Sequence, residues 1–118
     1  MAYKSIDGVE LLPNDCRIGE VSFTPSYVGT CLGGPYVGSP EITYQPNEAL
    51  IEFMSFESWV RSAASADCRT SEQMTRAIFN EMSRLLGDDI PLCVVMRSEQ
   101  LPGHLGHGPA TTTIRRGM

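Results

Sequence analysis

The sequence predicts an α+β protein in which one antiparallel sheet carries two helices packed on the same face. Three observations predict this class: apolar residues alternate over 42–53, recur at helical spacing over 55–86, and alternate again from residue 92 onward. The predicted order is strand, strand, helix, helix, strand, strand, which lets two amphipathic helices bury their apolar sides against one sheet. A sheet of four or five strands has open edges, so we expect copies of the chain to pair those edges and assemble into rings.

The first two strands are predicted to form a β-hairpin. Apolar residues alternate over 42–44 and again over 51–53, on either side of a Pro-Asn-Glu turn at 46–48. A further strand is expected around 18–23, where the alternation is weaker, and residues 1–17 are expected to form an irregular N-terminal segment. The first half of the core is therefore expected to be a strand pair.

The first helix is predicted to begin at Ser55, which is a good N-cap residue, and to end near Asp67. Between these two positions four apolar residues recur at helical spacing, namely Phe56, Trp59, Val60 and Ala63. We therefore expect one apolar side of this helix to face the sheet.

The second helix has signals at both ends. Thr70 and Gln73 make a capping-box pattern, and Gly87 is of the type that closes helices. Between them one apolar stripe runs along the predicted helix, namely Met74, Ile78, Met82 and Leu85. The second helix therefore has the strongest local signals in the sequence.

Two strands and two loops complete the predicted fold. The alternation over 92–96 indicates a well-buried strand, and residues 110–115, rich in Thr and Ile, indicate a last one. Gly and Pro are concentrated over 29–40 and 102–109, so we expect loops in both places.

Length and composition narrow the classes of function. At 118 residues the chain has the size of one domain, which we expect to span residues 1–118. Hydrophobic residues make up 42% and charged residues 19%, a balance typical of a globular protein. The net charge is −5 and the 9 basic residues form no stripe, which disfavours direct binding to nucleic acid.

The sequence also predicts a cytoplasmic location. The first ten residues lack a basic segment followed by a long apolar run, and no apolar stretch is long enough to span a bilayer. The four cysteines are widely spaced, at Cys16, Cys31, Cys68 and Cys93, and we expect them to be reduced thiols.

The histidine pair His104 and His107 has a spacing that would allow both imidazoles to bind one metal ion. No Cys or acidic residue is close to them in sequence, and a Gly-rich loop does not hold two ligands in place as a helix does. We therefore favour a flexible solvated turn, with a loop that covers substrate as the second interpretation, and we predict no metal site.

Three segments of the sequence resemble one enzyme family. Cys31 precedes the turn Gly38-Ser39-Pro40-Glu41, and the segments Glu52-Phe53-Met54-Ser55-Phe56-Glu57 and Ser71-Glu72-Gln73-Met74-Thr75 follow it. This pattern resembles the QueF-type 7-cyano-7-deazaguanine reductases of the tunnelling-fold superfamily, which have a nucleophilic Cys, a Gly-Gln-Pro-Asp turn, a cofactor motif and a His-Glu-Asp-x-Thr segment. The resemblance covers roughly the last three-quarters of the chain and implies the ring-forming tunnelling fold.

The resemblance also implies a reaction. A cysteine thiolate adds to the nitrile of 7-cyano-7-deazaguanine, and NADPH reduces the resulting thioimide to an aminomethyl group. Cys31 would be the nucleophile, Glu41 the general acid, and Glu72 would bind the guanine-like edge of the base. Ser55 and Glu52 would line the same substrate site.

Two alternatives stay open. Met54 and Glu57 occupy positions where the family has lysines suited to the phosphates of NADPH, which favours a relative that adds ammonia to the nitrile and yields an amidine. The other alternative is a binding module that holds a purine- or pterin-like ring through Glu72 without chemistry. Since a lone cysteine is more often a small buried hydrophobe than a nucleophile, reactivity at Cys31 would decide between the enzyme and the binding module.

Overall fold

The computed structural model describes residues 4–31, 34–101, 103 and 108–118. These residues form eight strands and two helices in this order: β1 (Lys4–Ile6), β2 (Val9–Pro13), β3 (Val21–Phe23), β4 (Tyr27–Cys31), β5 (Gly34–Tyr44), β6 (Ala49–Ile51), α1 (Phe53–Ala66), α2 (Ser71–Leu86), β7 (Leu92–Gln100) and β8 (Ala110–Arg116).

The N-terminal segment is a regular hairpin, so the expectation of an irregular segment over 1–17 is wrong for the part that the structure describes. Strands β1 and β2 are antiparallel and are joined at Asp7 and Gly8, both with positive φ angles, 52° and 83°. A two-residue turn with two positive φ angles matches the right-handed twist of the flanking strands. Val9 and Leu11 in β2 are buried, which gives this hairpin an apolar side.

The predicted hairpin over 42–44 and 51–53 is also wrong. Strand β6 pairs with β2, in register Leu11 to Ile51, and β1, β2 and β6 form a small sheet of their own. The chain leaves β5 after Tyr44, whose hydroxyl accepts a hydrogen bond from the Ile51 amide at 3.0 Å. Phe53 starts α1 instead of continuing a strand. Local alternation identified strand-forming residues but could not select their partner strand.

The main sheet is centred on the long strand β5. Strand β7 pairs along one edge of β5, and β3 and β4 pair with the two ends of its other edge. Strand β8 continues the sheet beyond β7, and all of these pairings are antiparallel. The predicted strands over 92–96 and 110–115 are confirmed, whereas the loop expected over 29–40 is mostly the β4–β5 hairpin.

The N-cap of helix α1 lies three residues earlier than predicted. It is Glu52, whose carboxylate accepts hydrogen bonds from the Met54 and Ser55 amides at 2.8 and 2.9 Å. Ser55 lies in the first turn, so its predicted N-cap role is wrong. Its hydroxyl instead donates to the Glu52 carbonyl at 3.0 Å and accepts from the Glu10 amide at 2.9 Å, which ties α1 to β2. The predicted end near Asp67 is confirmed.

Helix α2 has the predicted ends. Thr70 is the N-cap, its hydroxyl accepts from the Gln73 amide at 3.1 Å, and the Gln73 side chain accepts from the Thr70 amide at 2.9 Å. Gly87 closes the helix with a φ of 110°. At the same end the Arg116 guanidinium donates to the Gly87 and Ile90 carbonyls, so the last strand holds the last turn of α2.

Both helices pack on antiparallel sheet, which confirms the predicted α+β class. Along β5 the buried residues alternate, and the buried set faces a core shared with α1, α2 and the small sheet. The largest fully buried side chains of this core are Tyr44, Phe56, Ile42, Met74, Ile78, Met82, Leu92 and Met96. The opposite side of β5 carries half-buried residues, including Glu41.

Within residues 4–31, 34–101, 103 and 108–118, no helix is long and apolar enough to cross a lipid bilayer.

Candidate functional site

Two buried tyrosines mark the place where the β4–β5 hairpin meets the start of α2. Tyr27 lies opposite Gly38, and Tyr36 lies opposite Gly29. Each ring crosses the glycine facing it: a Cβ atom at Gly38 would stand 2.3 Å from the Tyr27 ring, and one at Gly29 would stand 2.5 Å from the Tyr36 ring. An aromatic ring laid over a cross-strand glycine fills the space that a side chain would occupy. The two rings pack edge to face, with centroids 5.7 Å apart at 83°.

The two hydroxyls form a short hydrogen-bonded chain. Tyr36 Oη donates to the Arg69 carbonyl at 3.0 Å, and the Tyr27 and Tyr36 hydroxyls are 3.1 Å apart. Because a carbonyl only accepts, the Tyr36 proton points to Arg69, and Tyr27 is the donor between the two phenols. Burial raises the pKa of Tyr27 far above its usual value of 10.0, and its hydrogen bond with Tyr36 raises it further. Both phenols therefore stay protonated at neutral pH.

Cys31 and Glu72 lie on the same side of the main sheet, near the Tyr36 hydroxyl. Burial is the main cause that raises the pKa of Tyr36. The hydrogen bond from Tyr27 lowers this pKa, and negative charge on Cys31, Glu72 and Cys68 raises it. Cys31 is the half-buried last residue of β4, on the same side as Gly29. Glu72 is exposed in the first turn of α2. The predicted nucleophile and the predicted substrate-binding carboxylate therefore each lie within three residues of a backbone position that Tyr36 contacts.

Glu41, the predicted general acid, is not beside Cys31 of the same chain. Cys31 faces Gly34, and Glu41 lies seven residues further along β5, about 23 Å away at ordinary strand spacing. An odd number of residues also turns the side chain to the other face of the sheet, where Glu41 stands next to Val95. Within one chain, Glu41 therefore cannot protonate an adduct held at Cys31.

The two remaining predicted substrate residues, Glu52 and Ser55, are engaged in the start of α1. Glu52 accepts from two amides of the first turn, and the Ser55 hydroxyl has partners on both its donor and acceptor sides. Beside them Phe53 and Met54 are 50% and 78% exposed, and Phe53 stacks on Phe23 with ring centroids 4.8 Å apart. The start of α1 therefore presents apolar side chains and carboxylates.

The residues at the start of α1 do not fit NADPH in the manner of the resembled family. Helix amides and lysines attract phosphate, but here the Glu52 carboxylate occupies the first amides. Glu57 stands one turn further on, where its carboxylate accepts from the Ser26 amide at 3.1 Å. The arginine nearby is already paired, Arg61 with Glu57 at 3.6 Å, and Arg69, which pairs with Asp67 at 3.5 Å, lies beyond the other end of α1. A dinucleotide phosphate at this position would face two carboxylates.

The part of the chain that the structure describes contains no cluster of metal-binding side chains. Across those residues, no three His, Cys, Asp or Glu side chains are grouped so that they could hold a metal ion. The histidines His104 and His107 lie outside the described residues, so the interpretation of their loop stays a prediction.

The tyrosine pair was missed by reasoning from the sequence, although the sequence carries a signal for it. The tripeptide Tyr-Val-Gly occurs twice, at 27–29 and 36–38. In an antiparallel hairpin centred between the two copies, each tyrosine faces the glycine of the other copy, which is the observed register. A hairpin prediction over 27–44 would have paired them.

Comparison with known proteins adds no relative. No protein-family model matches the sequence, and no curated protein is significantly similar to it.

Proposed function

We propose that this chain is an enzyme that binds 7-cyano-7-deazaguanine and attacks its nitrile with Cys31, in the manner of the QueF-type proteins it resembles. The observation that carries the proposal is the position of Tyr36 between the two residues: its ring crosses Gly29, two residues before Cys31 in β4, and its hydroxyl donates to the Arg69 carbonyl, three residues before Glu72. A carboxylate at Glu72 can accept two hydrogen bonds from the ring N–H and exocyclic amine of a guanine-like base. A thiolate is a suitable nucleophile for a polarised nitrile carbon.

The covalent step balances without a cofactor. The thiolate sulfur of Cys31 forms a bond to the nitrile carbon, one C–N π bond is broken, and the nitrogen takes up one proton to give a neutral thioimide. Since Glu41 faces away from Cys31 in its own chain, that proton comes from solvent or from Glu41 of a neighbouring copy.

Assembly of several copies is part of the proposal. Strand β8 pairs with β7 on one side, and within the described residues its other edge pairs with no strand. Strands β3 and β4 likewise pair only with β5 there. Pairing these edges between copies would close a ring, as the tunnelling fold implies, and would remove exposed strand edges. We propose that such a ring works in the cytoplasm and brings together Cys31 and Glu41 from different chains.

The fate of the thioimide has two candidates. Reduction to the aminomethyl group needs two hydrides, which NADPH would supply, and the carboxylates of Glu52 and Glu57 at the start of α1 oppose its binding there. That observation favours the second candidate, in which ammonia adds to the thioimide carbon and Cys31 leaves as the thiol. The net reaction then joins one nitrile and one ammonia into an amidine, with no change of oxidation state.

Intact-protein mass spectrometry after mixing with 7-cyano-7-deazaguanine tests the attack. We expect an increase by the full mass of the ligand, because addition releases nothing. Cys31→Ala should abolish the adduct, whereas Cys68→Ala, which removes the thiol next in sequence to the Arg69 carbonyl that Tyr36 contacts, should retain it. An adduct on the Cys31→Ala protein would contradict the role of Cys31.

Adding NADPH or ammonium to the adduct distinguishes the reductase from the amidine-forming enzyme. Loss of the adduct with oxidation of NADPH would establish the reductase, and loss with ammonium and formation of an amidine would establish the second candidate. Glu72-dependent binding without any adduct would instead support a module that holds a purine- or pterin-like ring without chemistry. Wild-type protein that neither forms the adduct nor binds the base would overturn all three.

A further inference from the structure

The contact between Tyr36 and Arg69 joins the main sheet to the segment that starts α2. Arg69 directly precedes Thr70, the N-cap of α2, and Glu72 is the second residue of the helix. The Tyr36 hydroxyl donates to the Arg69 carbonyl at 3.0 Å, so the backbone just before the helix is held by a side chain of β5.

The Tyr36 side chain is itself held from several directions. Its ring crosses Gly29, packs edge to face with Tyr27, and is 3% exposed. The Tyr27 hydroxyl lies 3.1 Å from the Tyr36 hydroxyl and 3.6 Å from the Met96 sulfur, and of these two acceptors the Tyr36 oxygen is the stronger. A donor that is packed in this way has little rotational freedom, and it fixes the position of its acceptor.

The same arrangement fixes the geometry of the candidate site. On the side of β4 that faces the core, the residue after Gly29 is Cys31, so the Tyr36 ring lies next to the predicted nucleophile along the strand. The Tyr36 hydroxyl reaches the predicted ligand-binding helix through Arg69. One side chain therefore bridges the two parts of the site.

We infer that Tyr36 is a positioning residue of the candidate site: its hydroxyl holds the first turn of α2, and with it Glu72, at a set distance from Cys31, while Tyr27 orients that hydroxyl. The role of Glu72 in this inference rests on the proposed function. The anchoring of α2 by Tyr36 does not depend on it.

Three Tyr→Phe variants test the inference with the same chemical change. Tyr36→Phe removes the donor to Arg69, so we expect the affinity for 7-cyano-7-deazaguanine to fall roughly five- to tenfold, as for the loss of one net hydrogen bond. Tyr27→Phe leaves the bond to Arg69 in place and should lower the affinity about twofold. Tyr44→Phe is the matched control, because Tyr44 is fully buried and its hydroxyl also loses one partner, the Ile51 amide. It should lower stability without changing affinity.

Amide hydrogen exchange of the first turn of α2 gives a readout that needs no ligand. In the Tyr36→Phe protein the amides of Gln73 and Met74 should exchange faster than in wild type, whereas Tyr44→Phe should change them no more than it changes the rest of the helix. Equal exchange in the two variants would overturn the inference, whatever the ligand experiments give.

A double-mutant cycle tests whether Tyr36 acts through Glu72. Affinities for the base are measured in proteins that also carry Cys31→Ala, so that covalent addition to the thiol does not interfere with the equilibrium measurement. If Tyr36 acts by placing Glu72, Tyr36→Phe should have no further effect once Glu72→Gln is present. Independent, multiplying effects would overturn the link to Glu72. If the parent protein does not bind the base, the proposed function fails, and faster exchange in α2 would still support the anchoring.

Discussion

Three buried tyrosines make the stability of this protein sensitive to alkaline pH. Burial is the largest cause that raises the pKa of Tyr27, Tyr36 and Tyr44 above 10.0. In the unfolded chain a tyrosine ionises at its ordinary pKa of about 10. A raised folded-state pKa means that the contribution of each tyrosine is fully present below pH about 10 and is lost as the pH rises toward the folded-state pKa.

The size of the loss follows from proton linkage. Between the two pKa values the folded state holds one more proton per tyrosine, which lowers the free energy of unfolding by about 1.4 kcal/mol per pH unit. Integrated from pH 9 to pH 11, a tyrosine that stays protonated in the folded protein contributes a loss of about 1.4 kcal/mol. We expect this loss from Tyr27, whose pKa burial raises far above its usual value, and Tyr36 and Tyr44 add to it in the same direction. The loss from Tyr27 alone is measurable against a typical total stability of about 5–15 kcal/mol.

Urea unfolding at pH 9 and pH 11 measures this loss. Tyr27→Phe should be less stable than wild type at pH 9, because it lacks the hydroxyl contacts, but its stability should fall by about 1.4 kcal/mol less between the two pH values. Comparison between variant and wild type cancels the other groups that titrate in this range. If the Tyr27→Phe protein lost as much stability as wild type, the proposed effect of burial on this phenol would be refuted.

Three further substitutions test local contacts by urea unfolding at neutral pH. Gly38→Ala places a Cβ 2.3 Å from the rigid Tyr27 ring, so we expect a loss of about 1–3 kcal/mol, whereas Gly19→Ala, with no atom within 4 Å of the added carbon, should be close to neutral. Glu52→Ala removes the N-cap of α1 and should lower stability by about 1 kcal/mol, and a value near zero would contradict the capping role. Arg116→Ala removes the charged donor at the last turn of α2 and should lower stability by about 1.5–3 kcal/mol, with faster amide exchange in that turn. Unchanged exchange there would show that β8 does not hold the helix.

Helix α2 could be predicted from sequence because its signals are local. Its ends are set by the capping box of Thr70 and Gln73 and by the closing glycine Gly87. Each of these interactions joins residues within one helical turn, so the sequence alone identifies them. The same holds for the strands predicted over 92–96 and 110–115: alternation in the first reflects one buried side, and the second is rich in Thr and Ile. The start of helix α1 was predicted three residues too late, because the Glu52 carboxylate caps the helix in place of the Ser55 hydroxyl.

Strand pairing could not be predicted because it depends on distant residues. Residues 42–44 and 51–53 have the alternation of a hairpin, but Ile51 pairs with Leu11, which belongs to a segment expected to be irregular. The candidate site shows the same limit. The resemblance brought Cys31, Glu72 and Glu41 into one hypothesis, but Glu41 lies on the face of β5 opposite to the one that Cys31 shares with Tyr36. Because side chains alternate along a strand, the odd number of residues between Gly34 and Glu41 turns Glu41 to the other face. This could be predicted only if residues 34–44 were known to form one continuous strand.

The pairing of β5 with β7 also determines how the chain must fold. The β4–β5 and β7–β8 hairpins each join neighbouring segments, whereas the β5–β7 pairing, with Tyr44 facing Leu92, closes a loop that contains β6 and both helices. Closing a loop of this length costs on the order of 3 kcal/mol of chain entropy before any contact between the two strands is gained. We therefore expect the joining of the two hairpins at Ile42 and Val94 to limit the folding rate, so that the centre of the sheet forms last although it is the most buried part.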